Sequence, residues 1–335
     1  MKVLVTGGSS LMGTGLARDL AARGDEVRCF QRHRVEALDD VAGVEQRLGD
    51  LTQPDDLDAA VAGCDAVVHL AAKVGIVGTR DEFVAVNVTG TRNLLDAARR
   101  AGIRRFVHVS SPSVAHDGSP IIGGLADTPK TSHPGAWYPE TKAISENLAL
   151  DANDAEMAVV VVRPHLVWGP GDTQLVGRIV ERARAGRLAL VGGGRALVDT
   201  TYIDNARSAL CAALDAVEPG AVCAGRAYVI ANGEPRPVRE LVGGICRAAG
   251  APFEPREVPL AAARAAGSLI ERLWPRVRSG EEPPLTRFLA DQLGTAHWFD
   301  PRPARDDLGW VPTVSIDDGL AELASWFEQQ TRHGS

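Results

Sequence analysis

The sequence predicts an α/β protein, a doubly wound parallel sheet followed by a smaller, helix-rich C-terminal lobe. Three observations carry this. Short, β-branched and almost wholly apolar runs alternate with helical patterns through the first half, as in a parallel sheet covered on both faces. A glycine-rich turn, "TGGSSLMG" at 6–13, directly follows the first such run, "KVLV". From about residue 172 the alternation loosens and helices and prolines take over.

Taken in order, "KVLV" is a strand and "LMGTGLARDLAARG" a helix, with Leu16 and Leu20 on one face and Gly24 at its C-terminal end. "EVRCF" is the next strand; "DDLDAAVAG" is helical and "DAVVHLAA" a strand. The helix "EFVAVNVTGTRNLLDAARRAG" leads to the strand "RFVHVSS", and the helix "KAISENLALDAND" to the strand "MAVVVVRP". Beyond them "QLVGRIVERARAG" is helical, "TTYIDNARSALCAAL" returns to the sheet domain, "AYVIANG" adds a strand and "RPVRELVGGICRAAG" is helical. Residues 1–171, rejoined by 199–232, are assigned to a dinucleotide-binding domain, and 172–198 with 233–335 to a substrate lobe. Nothing between them is long or polar enough to be a flexible linker.

Composition narrows the function. A chain of 335 residues can bury a sizeable core, and 45% hydrophobic with 24% charged residues is ordinary for a soluble globular protein. Forty-three acidic against 36 basic residues leave a net charge of −7, which speaks against a nucleic-acid partner. The five cysteines are scattered without C-x-x-C spacing, so they read as reduced thiols in a cytoplasmic protein, with no disulfide frame and no metal site. No signal peptide is expected, and no apolar run reaches the roughly 18 residues of a membrane span.

In a strand–turn–helix phosphate site, one glycine makes the tight turn, a second admits the pyrophosphate, and a third lets helix and strand pack closely. Gly7 and Gly8 suit the turn and Gly13 the packing, and the helix N-terminus at Leu11 and Met12 offers donors and positive dipole. The middle glycine of G-x-G-x-x-G is replaced by Ser10, whose hydroxyl is expected to bond a phosphate oxygen. Alone, the turn reads equally as a plain βα connection.

Context decides it. "WYPETK" places Tyr138 and Lys142 four apart on a helix start, sharing a face. An ammonium beside a phenol favours phenolate, so the spacing predicts a lowered tyrosine pKa and proton exchange with a carbonyl or alcohol oxygen. Ser110, Ser111 and Ser113 follow "RFVHV", where the C-terminal edge of a parallel sheet faces its ligand.

These residues, with "GDLTQPDDL", "HLAA", "NVTGTRNLLDAA", "HVSSPSV", "YPETKAISE", "VVRPHLVWGPGD" and "ARDDLGWVPTVSIDDGL", resemble the extended short-chain dehydrogenase/reductases, in the branch of the 3β-hydroxysteroid and sterol-4-carboxylate 3-dehydrogenases. The resemblance spans essentially the whole chain. It implies a Rossmann fold in which Tyr138 is the catalytic acid/base and Lys142 holds the nicotinamide ribose. Ser111 would polarise the substrate oxygen, with Ser110 and Ser113 as alternatives, and Asn87 would support the site. It further implies that Asp50 and Leu51 lie beside adenine, that Leu70, Ala71 and Ala72 cover the adenosine pyrophosphate, and that Pro164, His165 and Leu166 cup the nicotinamide. Ser10 departs from the family pattern.

A carboxylate closing the second strand would bind the ribose 2′-hydroxyl of NAD, whereas arginine accommodates the 2′-phosphate of NADP. Here "EVRCF" is followed by Gln31, Arg32 and Arg34, which favours NADP(H) over NAD(H), and with it ketone reduction.

The second lobe resembles one subgroup, the 2-alkyl-3-oxoalkanoate reductases of bacterial long-chain olefin and β-lactone assembly, through "RLALVGGGRALVDTTYIDNA", "AGRAYVIANGEP", "ERLWP" and "GEEPPLTRFLADQLGTAHWF". The implied partner is a lipid-like β-keto acid. "VPLAAARAAGSLIERLW" puts Ala261, Ala265, Leu269 and Leu273 on one stripe, beside Ala262, Ala266, Ile270 and Trp274. A core helix is the simplest account; the alternatives are a face that lines a groove for alkyl chains, lies on a membrane surface, or joins a partner such as a pathway enzyme or a second copy of the chain. Lys73 and His165 flank the expected site as cations for a carboxylate. The alternatives are a 3β-hydroxysteroid or sterol-4-carboxylate 3-dehydrogenase, a nucleotide-sugar epimerase lacking an identifiable pyrophosphate clamp, and a non-catalytic NADP(H)-binding regulator.

Overall fold

The computed structural model describes residues 1–75, 77–126, 130–131, 135–277 and 283–333. Its elements are β1 (Lys2–Thr6), α1 (Leu11–Ala22), β2 (Glu26–Gln31), β3 (Val44–Leu48), α2 (Pro54–Val61), β4 (Ala66–His69), α3 (Arg80–Phe83), α4 (Gly90–Arg100), β5 (Arg105–Val109), β6 (Ile121–Gly124), α5 (Trp137–Asp151) and β7 (Ala158–Pro164). There follow β8 (Val167–Trp168), α6 (Val176–Arg184), β9 (Ala189–Val191), β10 (Leu197–Val198), β11 (Thr201–Tyr202), α7 (Ile203–Ala216), β12 (Arg226–Ile230), β13 (Arg236–Pro237) and α8 (Val238–Ala248). The chain ends with β14 (Arg256–Val258), α9 (Leu260–Val277), α10 (Arg287–Gly294), β15 (His297–Phe299), α11 (Arg302–Leu308) and α12 (Ile316–His333).

Seven parallel strands form the central sheet in the order β12-β7-β5-β4-β1-β2-β3. Alternating side chains leave opposite faces of each strand, so the two sides fill with different cores. Val3 and Val5 of β1 pack with Leu16 and Leu20 of α1 and Leu210 of α7, while Leu4 packs with Leu57, Leu94 and Phe106. Helices cover both faces, giving the Rossmann arrangement expected from the sequence. The chain winds outward through β2 and β3, then crosses back to β4 on the other side of β1. The crevice at that reversal, beyond the C-terminal ends of β1 and β4, is where ligands bind in such sheets.

The strand β3 had no apolar run to announce it. "VEQRL" is an edge strand with a mostly exposed, polar sequence, and its pairing to β2 rather than its composition makes it a strand. A second sheet, β13-β10-β15-β6, was likewise hidden, because its strands are only two to four residues long. It includes β6, which leaves the 1–171 segment to pair with β15. In the other direction, Ala304 and Leu308 of α11 and the adjacent Trp310 enter the core behind β1 and β7. Contacts therefore cross between the two expected segments at both places.

Helix α9 is also not the core helix that its alanine-rich pattern suggested. It turns Ala263 and Gly267 inward, and Gly267 lies so close to the Thr286–Arg287 backbone that a Cβ there would sit 2.6 Å from it. Ala261, Ala265, Leu269 and Leu273 face outward, the two leucines 58% and 45% exposed. Residues 280–282 of "GEEPPLTRFLADQ" lie outside the described residues. Among the described residues no helix is long and apolar enough to cross a membrane.

Candidate active site

The glycine-rich turn leaves β1 into the sheet crevice. Gly7 has φ of +74°, and a Cβ on it would lie 2.9 Å from the Ala71 nitrogen, so only glycine lets β1 approach the loop after β4. A Cβ on Gly13 would meet the Gly7 carbonyl oxygen at 2.3 Å, which is the close helix–strand packing expected of that position. Ser10 is the N-cap of α1. Its Oγ accepts from the Gly13 N–H at 3.0 Å and donates to the Gly7 carbonyl at 2.9 Å. The hydroxyl expected to bond a phosphate oxygen is here engaged within the turn. The N–H groups of Leu11 and Met12, in the first turn of α1, have no intrahelical acceptor and stand at the positive end of the helix, where an anion is favoured.

Gln31 closes β2 as expected, and it is buried. Its Nε2 donates to Gln46 Oε1 at 2.9 Å, and Gln46 Nε2 donates to Asp39 Oδ1 at 2.5 Å. Gln31 Oε1 is left as a buried acceptor without a donor, 2.7 Å from where a Cβ of Gly8 would stand. A cradle that excludes side chains, beside an orphaned acceptor, fits the pyrophosphate and ribose of a dinucleotide. Arg34 is held by Asp39 at 2.9 Å, whereas Arg32 is exposed at the strand end. Asp50 Oδ1 accepts from Thr52 at the turn into α2, Leu51 is buried beneath Gly90, and Leu70 N–H donates to Thr6 O. Ala72 is half-buried in the same loop.

Asn87 lies in a π-helical segment, 84–89, between α3 and α4. Such bulges turn a side chain out of the regular helix register. Its Oδ1 accepts from the Lys73 N–H at 2.7 Å, and its Nδ2 donates to Lys73 O and to Thr141 Oγ1, both at 3.0 Å. Asn87 thus ties the loop after β4 to α5, one residue from Lys142.

The three serines have three different jobs. Ser110 Oγ donates to the buried carboxylate of Glu146 at 2.6 Å, which takes it out of the site. Ser113 donates to Ser111 Oγ through both its hydroxyl, at 2.9 Å, and its N–H, at 3.3 Å. With two donors aimed at its oxygen, Ser111 keeps its own hydrogen to offer toward Tyr138, whose ionised form it favours. Burial raises the Tyr138 pKa and the Ser111 bond lowers it, with a net rise. This corrects the expectation of a phenol acidified by Lys142. That ammonium instead donates to Val109 O, 2.6 Å away at the end of β5, and is pushed down to about 8 by burial, against an upward pull from Glu146.

Glu146, one turn beyond Lys142, was missed in the sequence. It is fully buried with both oxygens on Arg163, at 2.9 and 2.5 Å, and Lys130 Nζ at 2.8 Å. The i, i+4 continuation of Tyr138 and Lys142 in "YPETKAISE" is the signal that could have found it.

Beyond Pro164, the end of β7, His165 N–H donates to Ile230 O at 2.9 Å and Leu166 holds φ of +42°. A branched residue with positive φ is strained, a feature that clusters at functional sites. Neither expected cation is available for a carboxylate. Lys73 pairs with Glu82 at 3.1 Å over the Phe83 ring, and burial beside His297 holds the His165 pKa well below its ordinary value, so the ring is neutral. A cavity of about 600 Å³ lies against residues 117–120, lined also by Leu260, Arg264, Arg287, Asp291 and Thr295. Phe288, next to Arg287, packs its ring on His116 and stands near Gly135.

The description of the 3-beta hydroxysteroid dehydrogenase/isomerase family matches residues 4–260. The chain belongs to that family. Over 325 residues it is 50% identical to a 2-alkyl-3-oxoalkanoate reductase of Stenotrophomonas maltophilia, covering 96% of this chain and 98% of that one. It is 32% identical to a 3-beta-hydroxysteroid dehydrogenase of Mycolicibacterium neoaurum, over 97% of this chain and 91% of that one. The fold is shared with the UDP-glucuronic acid 4-epimerase of Bacillus cereus in complex with NAD, at a TM-score of 0.77 and 21% identity, covering 98% and 99% of the two chains. This member of the 3-beta hydroxysteroid dehydrogenase/isomerase family is an enzyme, an NAD(P)-dependent oxidoreductase acting on a CH–OH or ketone group.

Proposed function

We propose that the protein reduces a 2-alkyl-3-oxoalkanoate to the 2-alkyl-3-hydroxyalkanoate with NADPH, as a cytoplasmic step of long-chain olefin or β-lactone biosynthesis. The observation that carries the reading is the Ser113 hydroxyl fixing Ser111 beyond the end of β5, with Ser111 favouring the ionised form of Tyr138. NADPH supplies a hydride when bound. Ser111 and Tyr138 polarise the ketone oxygen, and Tyr138, kept protonated by its raised pKa, gives up its phenolic proton as the alkoxide forms. Lys142 orients the nicotinamide ribose. The 50% identity to a 2-alkyl-3-oxoalkanoate reductase supports the substrate class. A carboxylate would face the guanidinium of Arg287, which lines the cavity, while the Arg287 backbone N–H donates to Glu271 Oε1 at 2.9 Å.

NADP(H) is favoured through Arg32, since Arg34 already neutralises Asp39. Charge-assisted bonds to phosphate contribute roughly 1.5–3 kcal/mol each, so Arg32→Ala should weaken NADPH binding about tenfold or more while sparing NADH. Residues 1–171 with 199–232 are taken as the cofactor-binding domain and the remainder as the substrate lobe, with a homo-oligomer compatible with the exposed α9 stripe. The decisive assay offers purified protein a 2-alkyl-3-oxoalkanoate with NADPH, and a 3β-hydroxysteroid with NAD⁺ or NADP⁺. Turnover of the β-keto acid is expected. Turnover of the steroid alone would move the protein to the second reading, which the 32% relative supports.

A further inference from the structure

His69 is buried at the end of β4, between the phosphate turn and the helix of Asn87, and no step above uses it. Its two ring nitrogens are both engaged. Nδ1 lies 2.7 Å from Thr6 Oγ1 and Nε2 lies 3.0 Å from Thr91 Oγ1. The partners fix which atom carries the proton. Thr91 spends its only hydrogen on the Asn87 carbonyl, 2.7 Å away, so toward His69 it can only accept, and Nε2 must be the N–H. Burial holds the ring well below its ordinary pKa, at about 3, so it is neutral and Nδ1 is bare. Thr6 therefore donates to Nδ1, and the Thr6 oxygen in turn accepts from the Ala71 N–H at 3.2 Å.

Every donor in the series points the same way, from Ala71 through Thr6, His69 and Thr91 to the backbone of Asn87. Asn87 then passes the connection on through its amide to Lys73 and to Thr141, and the Thr141 hydroxyl donates to Trp137 O in the turn that carries Tyr138. We propose that His69 is a positioning residue that couples the loop over the pyrophosphate to the helix bearing the proton donor, with its Nδ1 serving the cofactor arm and its Nε2–H serving the catalytic arm. The inference rests on Tyr138 being the proton donor, and not on which ketone is reduced.

The two arms can be cut separately. Asparagine places an acceptor near the position of Nδ1, and glutamine places a donor near that of Nε2. His69→Asn should keep the affinity for NADPH and lose turnover, whereas His69→Gln should keep turnover and lose affinity, each loss on the order of tenfold. The near-isosteric Thr6→Val and Thr91→Val should repeat the split, Thr6→Val in the dissociation constant of NADPH and Thr91→Val in kcat, with Thr91→Ser restoring kcat. Turnover is read on a 2-alkyl-3-oxoalkanoate, or on a 3β-hydroxysteroid if only that is accepted. Tyr138→Phe, measured alongside, separates the two failures, since retained turnover there would remove the proton donor assignment itself. Nitrogen-15 NMR of the His69 ring in the NADPH complex requires no variant. A protonated Nε2 and bare Nδ1 unchanged from roughly pH 5 to 8 is expected. The opposite tautomer, or variants that lose affinity and turnover in equal measure or not at all, would overturn the coupling.

Discussion

The sheet crevice and the wall of the second lobe are built in opposite ways. At the crevice the catalytic candidates are fixed by close polar neighbours: Ser111 by Ser113, Asn87 by the Lys73 backbone and Thr141, Lys142 by the Val109 carbonyl. Across from it, α9 exposes its apolar stripe, and the cavity charges are met by partly exposed pairs such as Arg264–Asp291, at 2.5 Å. A proton donor and a hydride acceptor must meet within tenths of an ångström, which demands a rigid frame. A wall that meets a substrate of the proposed class would only have to exclude water and tolerate length. The comparison teaches that one side of the molecule is fixed by buried polar bonds, whereas the other leaves apolar and charged groups partly open to solvent.

The sharpest way to break that division is Tyr138→Phe. It removes one hydroxyl from the rigid side, and turnover should fall by about 10²–10⁴-fold while NADPH titration changes little. Retained turnover would place the acid elsewhere. Next comes Glu146→Gln, which leaves Arg163 and Lys130 facing a neutral amide in a buried setting. Breaking a buried pair in this way costs about 3–5 kcal/mol, read as a drop in the denaturation midpoint. A loss under about 1 kcal/mol would mean the crevice is less dependent on this cluster than its burial implies.

A pH profile tests the same frame without a substitution. Lys142, at about 8, is charged below that value and loses its proton as pH rises through it. If the ammonium orients the ribose, affinity for the cofactor should decline on the alkaline side of about pH 8, and Lys142→Met should flatten that limb. The smallest effect belongs to the open wall. Replacing Leu269 and Leu273 together by glutamine should change stability by no more than about 0.5 kcal/mol, because both side chains already stand in solvent. A large loss would mean that the stripe is covered in solution.

The sheet half was legible because apolar strands and a glycine turn leave strong patterns, with the turn and the serines at strand ends and the Y-x-x-x-K spacing on the first turns of a helix. What sequence could not show was which partner each polar group would choose. The buried face of α5 is itself polar, carrying Thr141, Lys142, Ser145 and Glu146, so no amphipathic pattern marks it. Ser10 was equally hard to read, since an N-cap and a phosphate donor demand the same residue type. In the second lobe, alanines at helical spacing suit a core or a surface equally, and only packing against Thr286 and Arg287 decided which face of α9 turned inward.

The exchange of segments between the lobes has a mechanical meaning. Because β6 reaches out to pair with β15, and Trp310 returns to plug the core behind the sheet, neither lobe owns a contiguous piece of chain. A cut anywhere between residues 125 and 300 would strip one lobe of a part lodged in the other. Unfolding should then be a single cooperative event, and occupancy of the crevice should protect amide hydrogens as far away as α11 from exchange.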